Sequence, residues 1–281
     1  MCLHILTDLD GTLLRSDATL SPYTARTVAD AIKQGAVISY ATARSYISSN
    51  RVAGEIPWKY PILLYNGAVM LDPVTKEVLD GAWLDGNLAN ELIGVGQSFG
   101  FTPFLFALNP NDQEMVLHEK LSRPGDRQFY RSRPGDPRFT EMEQLRCPED
   151  FRTLILTYIG LLEELQPLEA AIRAQFSERL HIHLMKDNYI PEHYFLEFSH
   201  PDGSKKTGLL KWAQYVGCKP EDVIVFGDNL NDTGMFEAAG TRVAVANAHP
   251  MLFELATHQT DSNDHDGVAL FIEKMTALRA E

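Results

Sequence analysis

Apolar positions along this chain follow two rhythms. In the first third, short continuous apolar runs alternate with amphipathic stretches. The run Cys2–Leu6 predicts a first strand. SPYTARTVADAIKQG follows, with Ser21 as N-cap, Pro22 at the first helical position, Val28, Ala29 and Ile32 on one face, and Gly35 as the stop. AVISYATAR (Ala36–Arg44) and YPILLYNGA (Tyr60–Ala68) predict the second and third strands. The last third resumes the alternation: TGLLKWAQYVG is a helix ending at Gly217, DVIVFGDNLND a strand breaking into a loop, TGMFEAAG a short helix, TRVAVANA a strand, and PMLFELAT and GVALFIEKMTALRA helices. Strands apolar throughout and separated by helices predict a parallel sheet covered on both faces.

Between about Trp83 and Tyr194 the alternation fades into turns, short strands and amphipathic helices such as LLEELQPLEAAIRAQF. This pattern predicts an α+β domain inserted into the α/β domain, with residues 1–82 and 195–281 forming the host and residues 83–194 the insertion. The doubled tetrapeptide RPGD, at Arg123–Asp126 and Arg133–Asp136, reads as two turns. The surrounding segment Arg123–Arg138 carries five arginines against two aspartates. It reads as a solvated hairpin, or as a local positive patch that draws in anions, with QFY as an aromatic wall.

Ligands of open parallel sheets bind beyond the carboxyl ends of the strands. The predicted strands carry Asp8, Asp10, Gly11 and Thr12 there, then Thr42 and Arg44, then Asn66 and Gly67, then Gly227, Asp228, Asn229, Asn231 and Asp232. Four carboxylates on one rim need positive charge among them, and a hard divalent cation such as Mg²⁺ supplies it. Asp8 and Asp10, two apart on one loop, can divide the work of phosphoryl transfer. One attacks phosphorus and the other handles the proton of the leaving oxygen. Gly11 permits the bend between them.

DLDGTLL together with GDNLND resembles the haloacid dehalogenase superfamily of aspartate-nucleophile phosphatases. YNGA (Tyr65–Ala68) and VANA (within Ala244–Ala248) are similar to its Cof-like branch, subclass IIB. The resemblance covers the two flanks, about Met1–Gly81 and Phe195–Glu281. It implies a Rossmann-like core with an inserted α/β cap that sets specificity. Asp8 is then the nucleophile and a Mg²⁺ ligand. Asp10 is the general acid and base, with its carbonyl also at the metal, and Asp228 is the third ligand. Thr42 and Lys205 hold the transferring phosphoryl group. Gly11, Ala43, Arg44, Asn66 and Asn231 contact substrate, and Asp232 supports the metal or the lysine. The chain departs from the family pattern twice. Ala43 follows Thr42 where glycine is frequent, and Lys206 follows Lys205, which leaves two candidate lysines.

The implied reaction is Mg²⁺-dependent hydrolysis of a small phosphomonoester, a sugar phosphate in the first place. A phosphomutase or other phosphotransferase would use the same aspartyl phosphate, and a non-catalytic binding module is the remaining alternative. The formal net charge of −13 over 281 residues disfavours nucleic acid and anionic membranes as partners. A small phosphorylated metabolite is the expected partner, with the chain as monomer or homodimer. Three scattered cysteines (Cys2, Cys147, Cys218), no leader-like start and no apolar run of membrane length predict a cytoplasmic protein. His181 and His183 alternate on a predicted strand as ordinary strand residues, and DSNDHDG (Asp261–Gly267) fails the calcium-loop pattern and reads as a solvated loop.

Overall fold

A computed structural model describes residues 3–186 and 190–277. Cys2, at the start of the predicted first strand, lies outside them. The first segment contains β1 (His4–Thr7), α1 (Pro22–Lys33), β2 (Val37–Tyr40), α2 (Tyr46–Ala53), β3 (Ile62–Leu64), β4 (Val69–Leu71) and β5 (Val78–Gly81). The middle segment contains α3 (Gly86–Ser98), β6 (Phe104–Leu108), β7 (Glu114–His118), α4 (Pro124–Arg131), β8 (Phe139–Glu141), β9 (Arg152–Leu161), α5 (Leu162–Phe176), β10 (His181–Lys186) and β11 (His193–Ser199). The last segment contains α6 (Lys205–Val216), β12 (Val223–Gly227), α7 (Thr233–Ala238), β13 (Thr241–Val245), α8 (Pro250–Leu255), β14 (His258–Thr260) and α9 (Gly267–Ala277). Among the described residues, no helix is long and apolar enough to cross a membrane.

Two compact units result: residues 1–81 with 203–281, and residues 82–202. The first contains a five-stranded parallel sheet in the order β14-β13-β12-β1-β2. The strands β2 and β12 are buried along their whole length, so helices cover both faces. Side chains such as Ile5, Leu6, Ile38, Val225 and Phe226 fill the interior. Each contributes roughly 1.5–3 kcal/mol relative to exposure. Ser21 caps α1 by accepting from Thr24 N, and Gly217 ends α6 in the left-handed region.

The third predicted strand diverges from expectation. β3 meets the parallel sheet through one bridge, Ala41 to Leu63, and then forms an antiparallel three-stranded sheet with β4 and β5. The left-handed residues Tyr65, Asn66 and Gly67 reverse the chain directly after β3 and leave no length for a longer parallel pairing. Within the first unit, Lys211 on α6 ties this hairpin down. Its Nζ donates to Asp80 Oδ1 (2.8 Å) and to the Gly81 carbonyl (3.1 Å). The loop Asp261–Gly267 is not solvated throughout. Asn263 is buried and donates to the Leu14 carbonyl, while Asp264 accepts from Ser16 and Asp266 from Thr24 and Arg15. Its carboxylates serve as ties between distant loops.

The second unit contains a six-stranded sheet in the order β10-β11-β9-β6-β7-β8, antiparallel except for β7 against β8. The sequence places the second boundary at 194/195, inside β11. That strand is hydrogen-bonded to β9 and β10 along its length, so the division falls at 202/203 instead. Leu88 and Leu92 of α3 and Leu165, Leu168 and Ile172 of α5 pack with Leu156, Tyr158, Leu196 and Phe198 of the sheet. Phe129 of α4 packs with Phe104 and Ile159 in a second cluster. His181 and His183 lie on β10, an edge strand of this sheet, with rings stacked at 6.3 Å. The two RPGD copies behave differently. The second is a turn with Gly135 at φ 71°, whereas the first opens α4, with Arg123 as N-cap and Pro124 at the first helical position. Proline's fixed φ and missing N–H suit a helix start as well as a turn.

Asp126, in the first turn of α4, is buried. Burial raises its carboxyl to about 7, against the pull of Arg123 and His193. A folded value above the unfolded one means that the native chain binds the extra proton between about pH 4 and 7, so this residue's contribution falls as pH rises through that window. Asp126→Asn is therefore expected to be more stable than the parent near pH 8, by on the order of 2 kcal/mol, and no more stable near pH 4. Thermal unfolding at both pH values checks this. An equal shift at both would sink the account.

Candidate active site

Asp8 stands immediately beyond β1, its backbone N–H donating to the Phe226 carbonyl of β12 (3.0 Å). Residues 9–13 then coil irregularly, with Asp10 extended (φ −74°, ψ 123°) and Gly11 left-handed (φ 75°). Gly11 is required twice over, because a Cβ there would also lie 2.4 Å from Asp228 Oδ2. Its carbonyl accepts from Asn247 Nδ2 (2.7 Å), just past β13.

The loop after β12 brings the next acids. Asp232 is buried, and its Oδ2 accepts from the backbone N–H groups of Asp228 and Asn229 (both 3.1 Å). Asp228 Oδ1 accepts from Thr12 Oγ1 (3.1 Å). Between the loops sits Lys205, buried at the first turn of α6 behind the cap residue Ser204. Its Nζ donates to Asp8 Oδ1 and to Asp232 Oδ1 (2.6 Å). Lys206, the other candidate, is half exposed and donates to Glu237 (2.9 Å).

Burial pushes the Asp8 carboxyl well up, against the ammonium of Lys205, and Asp232 and Asp228 push the same way. Burial, then Asp232, raises Asp228 to about 6, and the Thr12 hydroxyl opposes them. Lys205 is moved upward by Asp232 and Asp8 in spite of its burial and stays charged. Ligand oxygens of Asp8, Asp228 and Asp232 lie within 4.8 Å of one another. Three carboxylates thus share one ammonium. This deficit of positive charge, on an all-oxygen donor set, fits a hard divalent cation.

Asp10 does not join that group through its carboxylate. Arg44 holds it in a two-pronged pair, Nε to Oδ2 at 2.7 Å and Nη2 to Oδ1 at 2.6 Å. The expected ring of four acids is therefore three acids around Lys205, with the fourth on Arg44. Asp8 and Asp10 do not face one way, because alternation needs a regular strand and β1 ends at Thr7.

Thr42 is buried, and its Oγ1 accepts from Arg44 N (3.1 Å) while its backbone joins Leu63 and Asn66. Ala43 is exposed and is not among the positive-φ residues, so alanine in place of glycine meets no strain. Asn66 is left-handed (φ 56°) and accepts through Oδ1 from Asn231 Nδ2 (3.1 Å). Gly67 allows the chain to pass Ser204, since a Cβ there would meet the Ser204 carbonyl at 2.4 Å. Thr12 and Asn247 lie within the motifs DLDGTLL and VANA, and the sequence assigns neither a role.

Comparisons with known proteins agree with this architecture. A sequence profile described as haloacid dehalogenase-like hydrolase matches residues 5–272. The chain is 28% identical over 281 residues to a 5-amino-6-(5-phospho-D-ribitylamino)uracil phosphatase of Bacillus subtilis (strain 168), covering 98% of this chain and 97% of the relative. It is 26% identical over 271 residues to a pyridoxal phosphate phosphatase of Escherichia coli (strain K12), covering 95% and 96%. The crystal structure of a haloacid dehalogenase-like hydrolase from Bacteroides thetaiotaomicron superposes with a TM-score of 0.79 at 23% identity, over 98% of this chain and all of the other, and so shares the fold. The chain belongs to the haloacid dehalogenase-like hydrolases. As an enzyme it is a hydrolase of the phosphatase type.

Proposed function

We propose that this chain is a Mg²⁺-dependent phosphatase of small phosphomonoesters, sugar phosphates in the first place, working in the cytoplasm through an aspartyl phosphate. The observation that carries the reading is the buried Lys205, bonded at once to Asp8 and Asp232 within a group of three carboxylates. Asp8 and Asp228, with the Asp10 carbonyl, would hold Mg²⁺, and the ion when bound neutralises phosphoryl oxygens.

The chain's own residues do the rest. Lys205 and the Thr42 hydroxyl hold the phosphoryl oxygens, and Lys205 screens them from Asp8. An arriving phosphate competes with Asp10 for the Arg44 fork, which frees Asp10 to turn toward the leaving oxygen. An Asp8 oxygen bonds to phosphorus, the bond from phosphorus to the substrate oxygen breaks, and Asp10 gives that oxygen its proton. In the second step water attacks the same phosphorus. Its proton passes to Asp10, the Asp8–phosphorus bond breaks, and phosphate leaves. Asn66 and Asn231, bonded to each other, offer amides to the substrate.

The test is a hydrolysis screen over phosphorylated sugars, nucleotides and vitamin phosphates, with the two relatives' substrate types included. Activity should fall at least about a hundredfold in excess chelator and return with Mg²⁺. Full turnover in chelator overturns the metal requirement. Isomerised product in excess over inorganic phosphate would make the chain a mutase instead.

A further inference from the structure

The five arginines of Arg123–Arg138 are used unequally. Arg123 pairs with Glu164 (2.5 Å) and stacks on Phe101 at 4.1 Å. Arg133 lies 3.7 Å over the Phe129 ring and donates to the Phe129 carbonyl. Arg138 is buried against Asp136 (2.6 Å). The other two, Arg127 and Arg131, are four residues apart and so share one face of α4. Both line a cavity of about 350 Å³.

Lys120 and His118, at and just past the end of β7, line it too, as do Tyr130 of α4 and Phe139 of β8. Three of these rings pack on one another: Tyr130 on Phe139 at 5.2 Å, His118 on Tyr130 at 5.7 Å and His118 on Phe139 at 5.9 Å. The one acid in the lining is Glu141. Three cations thus face one carboxylate beside an aromatic cluster, in a chain whose net charge is −13. Arg127 Nε donates to the Leu121 carbonyl (3.0 Å), which fixes the direction of its guanidinium.

We propose that this cavity binds a small anion bearing a planar ring, of mononucleotide size. Guanidinium forks match phosphate oxygens, and aromatic faces take a flat ring. The volume lies at the lower end of small-ligand pockets. Every residue in the lining belongs to the second unit, and none belongs to the carboxylate–lysine group.

The test is calorimetric titration of the full chain with adenosine monophosphate in excess chelator. Adenosine and inorganic phosphate serve as half-ligands. Saturable binding is expected, at least about tenfold tighter than either half-ligand. Lys120→Gln and Arg131→Gln, both at exposed positions, should each weaken it about tenfold without moving the melting temperature, while Asp8→Asn should leave it unchanged. No saturable binding by the parent, equal binding of adenosine or phosphate, parental affinity in both glutamine variants, or loss of binding in Asp8→Asn would each overturn the proposal.

Discussion

Asp8→Asn should fold normally and hydrolyse phosphomonoesters at least about four orders of magnitude more slowly than the parent. The amide keeps an oxygen for Lys205 Nζ, the contact that Asp8 Oδ1 makes now. It also removes a carboxylate whose ionised form burial already disfavours, so no loss of stability is expected. What it lacks is a nucleophilic oxygen anion. Single-turnover assays and unfolding curves on the same preparation separate the two effects. Residual activity within tenfold of the parent, in a folded variant, would move the nucleophile elsewhere.

Lys205→Met should damage the fold as well as the reaction. The side chain is fully enclosed, and both of its partners are buried carboxylates. Methionine of similar length fills the space but leaves Asp8 and Asp232 without their cation. Stranding a buried charge in this way costs about 3–5 kcal/mol. The loss has a pH signature. With Lys205 gone, nothing offsets the burial that pushes Asp8 upward, so protonation relieves the repulsion. The deficit should be largest near pH 8 and shrink as the solution is acidified toward about pH 5. Urea midpoints at the two pH values measure it. A deficit below about 1 kcal/mol, or one indifferent to pH, would show that the lysine is not holding the acids together. Lys206→Met, beside it in sequence, breaks only the half-exposed pair with Glu237 and should cost less than about 1 kcal/mol.

Much of the first unit was legible because its signals are redundant. Ser21, Pro22 and Gly35 bracket α1, and unbroken apolar runs mark β1, β2 and β12. Side-chain direction was less so. Motif register favours Lys205 over Lys206, but adjacent residues on a helix point about 100° apart, and only the structure shows Lys205 bonded to Asp8 and Asp232 while Lys206 turns to Glu237. Asp10 lies in the irregular segment beyond β1, where strand alternation gives no side-chain direction. Pro-Gly-Asp is turn chemistry and predicts a turn at the first RPGD, yet Pro124 opens α4. β14 has three residues, His258–Thr260, and no periodicity to detect. Asn247 follows β13 in a loop with no acid to mark it, although its amide reaches the Gly11 carbonyl.

The grip of Lys211 on Asp80 and Gly81 has a bearing on how such chains diversify. The polypeptide leaves the first unit after Gly81 and re-enters it at Gly203, two residues before the catalytic lysine proposed above. One ammonium staples the exit strand to the helix that begins at re-entry, six residues beyond that lysine. The intervening 82–202 can therefore drift in sequence, or be exchanged for a graft with closely spaced ends, while the charge at Lys205 keeps its anchorage.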